Sequence, residues 1–307
     1  MPWSADFDVT LDLARFLLSA QFPQFANAPI EPFGEGWDNA AFLVDGTYVF
    51  RFPRRSIAVP LIVREIAILP RIASQLPVPI SAPSLAGTPG GDYPWPFAGY
   101  RRLRGATLSS LHLDASAYER VAGELGRFLR ALHAIDARPL LAAGLETDDF
   151  GRLDHAKRGP KARARLAELH DAGLVADVRP YLDVLDSIAP AGVREHRLGL
   201  VHGDLYAKHV VIDDGRIAGV IDWGDVHFGD PAVDLAIAFG ALPGAARATF
   251  ATAYGGIDPE TWRLARYRAT YHAALLAHYG YHVGSRELLD AGLSGLRGAL
   301  SETWDVC

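Results

Sequence analysis

The chain has little sulfur and almost no lysine. Its single cysteine is Cys307 and its single methionine is Met1, so neither a disulfide framework nor a thiolate metal site is expected. Only Lys157, Lys161 and Lys208 break the dominance of arginine among the 30 basic residues. No run of about 18 apolar residues exists, which excludes a membrane-spanning helix. Met1 to Ala20 carries Asp6, Asp8 and Asp12 without a basic leader, so no secretory signal is expected and the reading is a cytoplasmic protein. A formal charge of −6 gives no electrostatic basis for a nucleic-acid partner. No obligatory protein partner is evident. Half of the 307 residues are hydrophobic, and no low-complexity tract or internal repeat interrupts them. That is enough for a sizeable core and for two lobes.

The most informative stretch runs from residue 197 to 235. The apolar run Leu198 to Val201 reads as a strand end that delivers His202-Gly203-Asp204 into a loop. Val210-Val211-Ile212 and Ile217 to Ile221 are β-branched runs joined through Asp213, Asp214, Gly215 and Arg216. Asp214-Gly215 is a two-residue hairpin signal, because both residues tolerate the positive φ of such a turn. Asp213 then faces Arg216, and counting back along the strands puts Asp222 within a step or two of Lys208 and His209. The open end of the hairpin therefore gathers His209 and Asp222 beside the loop that carries Asp204. Asp222 suits a hard divalent cation, since Mg²⁺ in phosphoryl transfer takes one or two protein ligands together with substrate phosphates. Asp204 can accept a proton from a substrate hydroxyl, and in-line transfer asks little more of a protein than positioning and charge neutralisation. The plainer alternative is that these are turn aspartates bonded to nearby backbone N–H groups, which is the better reading for Asp213 and Asp214.

His202-Gly203-Asp204-Leu205, His209, Ile221-Asp222-Trp223 and Gly229-Asp230-Pro231 with Asp234-Leu235 resemble the signature of the aminoglycoside phosphotransferase family of kinase-like enzymes. Where that family usually has Asn, five residues after the catalytic Asp, this chain has His209. In that respect it is similar to the macrolide 2′-phosphotransferase branch. The resemblance implies an α+β, two-lobed protein-kinase-like fold with a small β-rich N-lobe, residues 1–103, and a larger, mainly helical C-lobe, residues 104–307, with a helical insertion at about 140–195. It implies Asp204 as catalytic base, His209 and Asp222 at Mg²⁺ and the nucleotide, GTP or ATP as donor, and a small-molecule acceptor. His202 would brace the loop, and Asp225, Asp230 and Asp234 would be structural.

A kinase-like fold normally anchors the α/β-phosphates with a strand Lys paired to a helix Glu, yet no Lys precedes residue 157. Arg51, in Val-Phe-Arg-Phe-Pro, stands where that Lys would be, and its fork binds oxygens bidentately. Glu65, on a helix expected over 57–69 and ended or kinked by Pro70, is its candidate partner. Arg54 and Arg55 read as solvated charges. Pro32 to Phe52 reads as a hairpin: a loop over 33–39, strands over 40–44 and 48–52, and Asp45-Gly46 as the turn. Gly34 and Gly36 would let the backbone approach phosphates, or else mark an ordinary hairpin loop, since Asn39 stands where a third glycine would be. Arg101 to Leu103 resembles the hinge that meets the purine edge.

Farther along, Ser116 with Glu119 reads as a capping box that opens a helix through Leu132, with His133 a packed histidine near its end. Helices are expected over 157–169, 175–188, 232–242, from Asp258-Pro259 onward, and over 286–303. The aromatic stripe of the long helix, Tyr267 and Tyr271 included, reads as core or as an apolar wall for a bulky acceptor such as a macrolide. Aminoglycoside, choline or homoserine-type alcohols are the alternatives. More remote are a metal-dependent hydrolase that uses His202, Asp204, His209 and Asp222 as ligands, and a nucleotide-binding pseudokinase.

Overall fold

The structure, a computed structural model, describes residues 5–35, 38–148, 150–188 and 197–301. Gly36 and the last residues of the expected C-terminal helix lie outside these residues.

The N-terminal part is a helix packed on an antiparallel sheet. Helix α1 (Leu11–Gln21) opens on Thr10, whose side chain accepts from the Leu13 amide. It covers strands β1 (Ile30–Glu35), β2 (Asn39–Val44), β3 (Tyr48–Pro53), β4 (Pro83–Gly87) and β5 (Phe97–Arg101), ordered β1-β2-β3-β5-β4. Between β3 and β4 lies helix α2 (Val59–Ile72). Alternation along β2 and β3 turns Phe42, Phe50 and Phe52 inward, where Phe52 stacks on Phe97 at 4.5 Å under Leu17 and Leu18. The turn between β2 and β3 uses Asp45 and Gly46, both at positive φ, as a tight hairpin requires.

Three expectations fail here. Residues 33–35, expected in a loop, belong to strand β1. Gly34 pairs with Ala41, and a register shift between Pro32 and Gly34 absorbs Phe33. Helix α2 continues two residues past Pro70, since a proline in the final turn removes only one late bond. Arg55 is ion-paired with Asp38 at 2.8 Å rather than solvated.

After β5 the chain enters the larger, helical part at β6 (Ala106–Thr107), which pairs with a strand more than a hundred residues on. Helix α3 (Ala115–His133) is capped by Asp114, which accepts from the Ala117 amide at 2.7 Å, not by the expected Ser116. Ser116 instead accepts from Arg120, and Glu119 bonds Thr249. Helices α4 (Arg138–Leu141), α5 (His155–Asp171) and α6 (Arg179–Asp186) follow. Strand β7 (Gly199–Val201) leads to the hairpin β8 (Val210–Asp213) and β9 (Arg216–Val220), and β10 (His227–Gly229) pairs back on β7. Helices α7 (Ala232–Leu235) and α8 (Ile237–Ala241) replace the one helix expected there, and α9 (Gly244–Tyr254), α10 (Pro259–Val283) and α11 (Arg286–Leu300) complete the core. Asp258 caps α10 from the Thr261 amide, with Pro259 in its first turn. Among the described residues no helix is long and apolar enough to cross a membrane.

The two parts are tied at the hairpin. Val220 donates to the Pro79 carbonyl and accepts from the Ser81 amide, both at 3.0 Å.

Candidate active site

Strand β7 ends in His202-Gly203-Asp204, and a fully buried aspartate holds that loop. Asp234 accepts from the His202 amide at 2.7 Å and the Gly203 amide at 2.9 Å. Burial works against its charge, but His133, 3.2 Å away, His202 and the Gly203 amide hold its carboxyl below the ordinary range. His133 in turn meets the Tyr254 hydroxyl at 2.9 Å. Gly203 sits at φ +89°, and a Cβ there would lie 2.3 Å from the Asp225 carbonyl oxygen, so glycine is required. The buried His202 accepts from the Asp204 amide at Nδ1, 3.3 Å, which leaves Nε2–H to donate to the Ile221 carbonyl at 3.0 Å. Burial depresses its pKa and keeps it neutral.

The hairpin forms in the expected register. Asp214 and Gly215 both have positive φ, Asp213 faces Arg216, and the Ile221 amide donates to the His209 carbonyl at 2.9 Å. A register shift between Val211 and Ile212 then moves the pairing by one residue, so Val210 faces Val220 and Asp222 comes beside His209. Glu124 on α3 pins the far side by accepting from the Ile217 amide and Arg216.

His209 donates from Nδ1 to the Asp204 carbonyl at 2.8 Å and so turns Nε2 toward Asp222 Oδ2 at 3.3 Å. Asp222 adopts φ +64°, a strained conformation for a residue with a side chain. Burial raises its carboxyl, yet Arg51 and His209 outweigh that and drive it well below the ordinary range. Arg51 forks: Nη2 lies 3.2 Å from Asp222 Oδ1 and Nη1 3.3 Å from Glu65 Oε1. The Tyr100 hydroxyl donates to the other Glu65 oxygen at 2.8 Å. Burial dominates at Glu65 and lifts its pKa despite Arg51. Asp204, His209, Asp222, Arg51 and Glu65 thus form one continuous chain of contacts from α2 to β7.

The other anticipated residues distribute around this chain. Gly34, Ala41 and Arg51 occupy one row across β1, β2 and β3, so Gly34 shares a sheet face with Arg51. Arg101 is exposed at the end of β5 with its guanidinium 5.7 Å from the Tyr48 ring centre. Leu103 lies over the hairpin backbone at Gly219. Asp225 pairs with Arg152, and Asp230 accepts from the Ala232 amide at 2.9 Å. Tyr267 and Tyr271 are buried. Tyr271 donates to the Arg152 carbonyl, and Tyr267 packs on Tyr271 and on His155.

Three residues at the site were missed. Arg152 donates from Nε to the Gly203 carbonyl at 2.9 Å while paired with Asp148 and Asp225. Arg268 and His272 approach Asp204 Oδ1 at 3.4 and 3.5 Å. They stand four apart on α10, the spacing that puts two side chains on one helix face, and that spacing was the available signal. Burial, then Arg268, pushes His272 down to about 3, so its ring is neutral. Burial opposes the charge of Asp204, but with His209 and Arg268 beside it its pKa stays below the ordinary value. With His272 neutral, Arg268 is the neighbour on α10 that carries a standing charge. Arg268 also has buried Nε and Nη1 atoms with no partner.

A β-rich N-terminal part, a helical C-terminal part, and an acid loop facing an acid-bearing hairpin define a kinase-like phosphotransferase, an enzyme that moves a phosphoryl group to a hydroxyl. Residues 29–269 match the phosphotransferase enzyme family, and the chain belongs to that family. It is 32% identical over 228 residues to viomycin phosphotransferase from Streptomyces vinaceus, a match that covers 72% of this chain and 75% of that one. A macrolide 2′-phosphotransferase from Brachybacterium faecium, solved as apoenzyme, superposes with a TM-score of 0.60 at 25% identity over 93% of this chain and 98% of that one. The GDP complex of aminoglycoside 2′-phosphotransferase-IIIa superposes at 0.69, with 24% identity over 93% and 97%, a likeness of fold.

Proposed function

We propose that this chain transfers the γ-phosphate of a purine nucleoside triphosphate, GTP or ATP, with Mg²⁺ to a hydroxyl of an antibiotic, the 2′-hydroxyl of a macrolide being the first candidate. The observation that carries this reading is the convergence of Asp204, His209 and Asp222 with the Arg51–Glu65 pair. The residues fit the metal. Asp222 offers the oxygen ligand that Mg²⁺ takes alongside phosphates and water, and His209, held through Nδ1, turns Nε2 to the same point and becomes a second ligand once it gives up the proton it shares with Asp222. When bound, Mg²⁺ neutralises charge on the phosphate oxygens and orients them. Arg51 neutralises the phosphates from the sheet side, aligned by Glu65, and Gly34, with Gly36, lets the backbone approach them. Arg101 and Leu103 border the purine. Asp204, kept ionised by its neighbours, orients the acceptor hydroxyl and takes its proton. The boundary between the nucleotide lobe and the acceptor lobe is placed at 103/104.

The α10 side of Asp204 supports an acceptor of low positive charge. Arg268, His272 and the Tyr206 ring stand there, and a guanidinium beside the base disfavours a polycation. The second reading is viomycin, favoured by the 32% identity to the viomycin enzyme; aminoglycoside, choline and homoserine follow. The hydrolase alternative is disfavoured, because both ring nitrogens of His202 are already bonded within the loop.

The test is an acceptor screen with GTP and ATP in parallel, following phosphate transfer to erythromycin, viomycin, kanamycin and choline. Transfer to erythromycin that Asp204→Asn removes supports the macrolide reading. Transfer to viomycin alone replaces the acceptor and keeps the mechanism. Metal-dependent hydrolysis without nucleotide would overturn both.

A further inference from the structure

Away from the Asp204 loop, α5 and α10 run side by side in the same direction. His155 packs on Tyr267, Arg158 lies over Tyr271, and farther along Glu168 meets His278 and His282. Among the described residues these last three are the one group of three or more His, Cys, Asp or Glu residues whose ligand atoms converge within 4.8 Å of one another. His278 Nε2 is 2.8 Å from Glu168 Oε2, His282 Nε2 is 2.6 Å from Glu168 Oε1, and the two Nε2 atoms are 3.2 Å apart. We propose that Glu168, His278 and His282 bind a divalent transition metal, Zn²⁺ foremost, at a site separate from the catalytic centre, with water completing the shell.

Several observations meet in this assignment. Two histidines four apart present both rings on one helix face, the arrangement helical zinc sites use. Around a tetrahedral ion with Zn–N of about 2.0–2.1 Å, neighbouring ligand atoms sit roughly 3.3 Å apart, close to the observed Nε2–Nε2 separation. The carboxylate oxygens are nearer than that, and Glu168, half-exposed on α5, has the freedom to retreat by the few tenths needed. Both Nε2 atoms face the same carboxylate and lie 3.2 Å from each other, so the ligand atoms already converge on one point.

The helix turn that bears the histidines is also held from behind. At Gly280 the α11 backbone comes so close that a Cβ would lie 2.3 Å from the Leu289 nitrogen. Two imidazoles and one carboxylate suit Zn²⁺, Cu²⁺, Ni²⁺ or Co²⁺ and not Mg²⁺, which wants oxygen ligands. The ion required for phosphoryl transfer therefore does not compete here. A metal at this point joins α5 to α10, the helix that carries Arg268 and His272 to Asp204.

The test uses the full chain, freed of any affinity tag, stripped with a chelator and titrated with Zn²⁺ by calorimetry in excess Mg²⁺. One equivalent of Zn²⁺ should bind to the wild type. Affinity should fall by more than about 100-fold in His278→Ala and in His282→Ala, exceeding the 10–100-fold that outer-shell partners of a metal typically contribute. Co²⁺ should give the visible bands of a low-coordinate site in the wild type alone. The variants should match the wild-type thermal midpoint in chelator and lack its rise with Zn²⁺, which separates loss of a ligand from loss of fold. Zinc uptake that survives His282→Ala undiminished, or a wild type that takes up no zinc, would overturn the proposal and leave Glu168, His278 and His282 as a hydrogen-bonded surface network.

Discussion

Replacing Arg51 by Met tests the electrostatic spine of the site. Glu65 is 1% exposed and Arg51 22%. Once the guanidinium is gone, the Tyr100 hydroxyl is the side-chain hydrogen-bond partner left to Glu65 among the described residues. Breaking a buried ion pair from one side costs about 3–5 kcal/mol, and the partial exposure of Arg51 favours the lower end. A loss of about 3 kcal/mol in a chain of this size corresponds to a fall of roughly 5 °C in the unfolding midpoint. Arg51→Met/Glu65→Gln should recover much of that loss, because no uncompensated carboxylate remains buried. The pH dependence fixes the cause. Burial already raises the pKa of Glu65 while Arg51 opposes it, so deleting Arg51 raises it further. Between the ordinary carboxylate value and that raised value, the folded state holds a proton that the unfolded state has lost. The deficit should therefore be small near pH 4 and grow as the pH rises. Denaturant unfolding of wild type, single and double variants across that range measures it. Equal destabilisation of both variants with no pH trend would refute the assignment of Glu65 as a charge held by Arg51.

Asp204→Asn should lower kcat by about 10²–10⁴-fold, the usual contribution of a positioned general base, with the dissociation constant of the nucleotide nearly unchanged; full activity would remove Asp204 as the base. His209→Asn retains an oxygen for the metal but loses the Nδ1–H bond to Asp204, so metal-nucleotide affinity should fall by roughly tenfold, and complete loss of binding would mean that the imidazole has a role Asn cannot share. Arg268→Met removes a charge that helps hold Asp204 low, so the acid limb of the pH–rate profile should move to higher pH, and an unmoved limb would show that Arg268 does not act on the base.

The hairpin site was legible because its register depends on local chemistry. Asp214-Gly215 fixes the turn, and a count of residues then delivers His209 to Asp222. The pairing of Arg51 with Glu65 was legible for a different reason, since the absence of lysine before residue 157 left an arginine as the strand cation to pair with the helix acid. Arg268 and His272 were not legible as site residues, because they reach Asp204 from a helix 64 or more residues downstream and only the packing of α10 against the loop joins them. Arg152 is similar: its contacts run both to adjacent Asp148 and to Gly203 and Asp225 more than fifty residues on. Strand β1 was missed because Pro32 and Gly34 are poor strand formers, and pairing with β2 overrides that preference. At α3 the Ser116–Glu119 spacing matched a capping box, but the helix starts earlier, and Asp114 two positions before takes the cap.

Arg51 has two carboxylate partners of unequal character, and that inequality bears on how the proposed reaction starts. Glu65 is buried and also tied to Tyr100, whereas Asp222 is 48% exposed, strained at φ +64°, and shared with His209. The bond to Glu65 is the permanent one. The bond to Asp222 is the one that a competing ligand can displace, because about half of the Asp222 side chain is open to solvent while Glu65 is closed off. Once Asp222 turns to a metal–nucleotide, Nη2 of Arg51 is free for a phosphate oxygen while Nη1 stays on Glu65. On this reading the same guanidinium keeps Asp222 ionised before the nucleotide arrives and neutralises phosphate charge afterwards. A lysine would meet both partners through a single ammonium, whereas the fork gives each its own nitrogen.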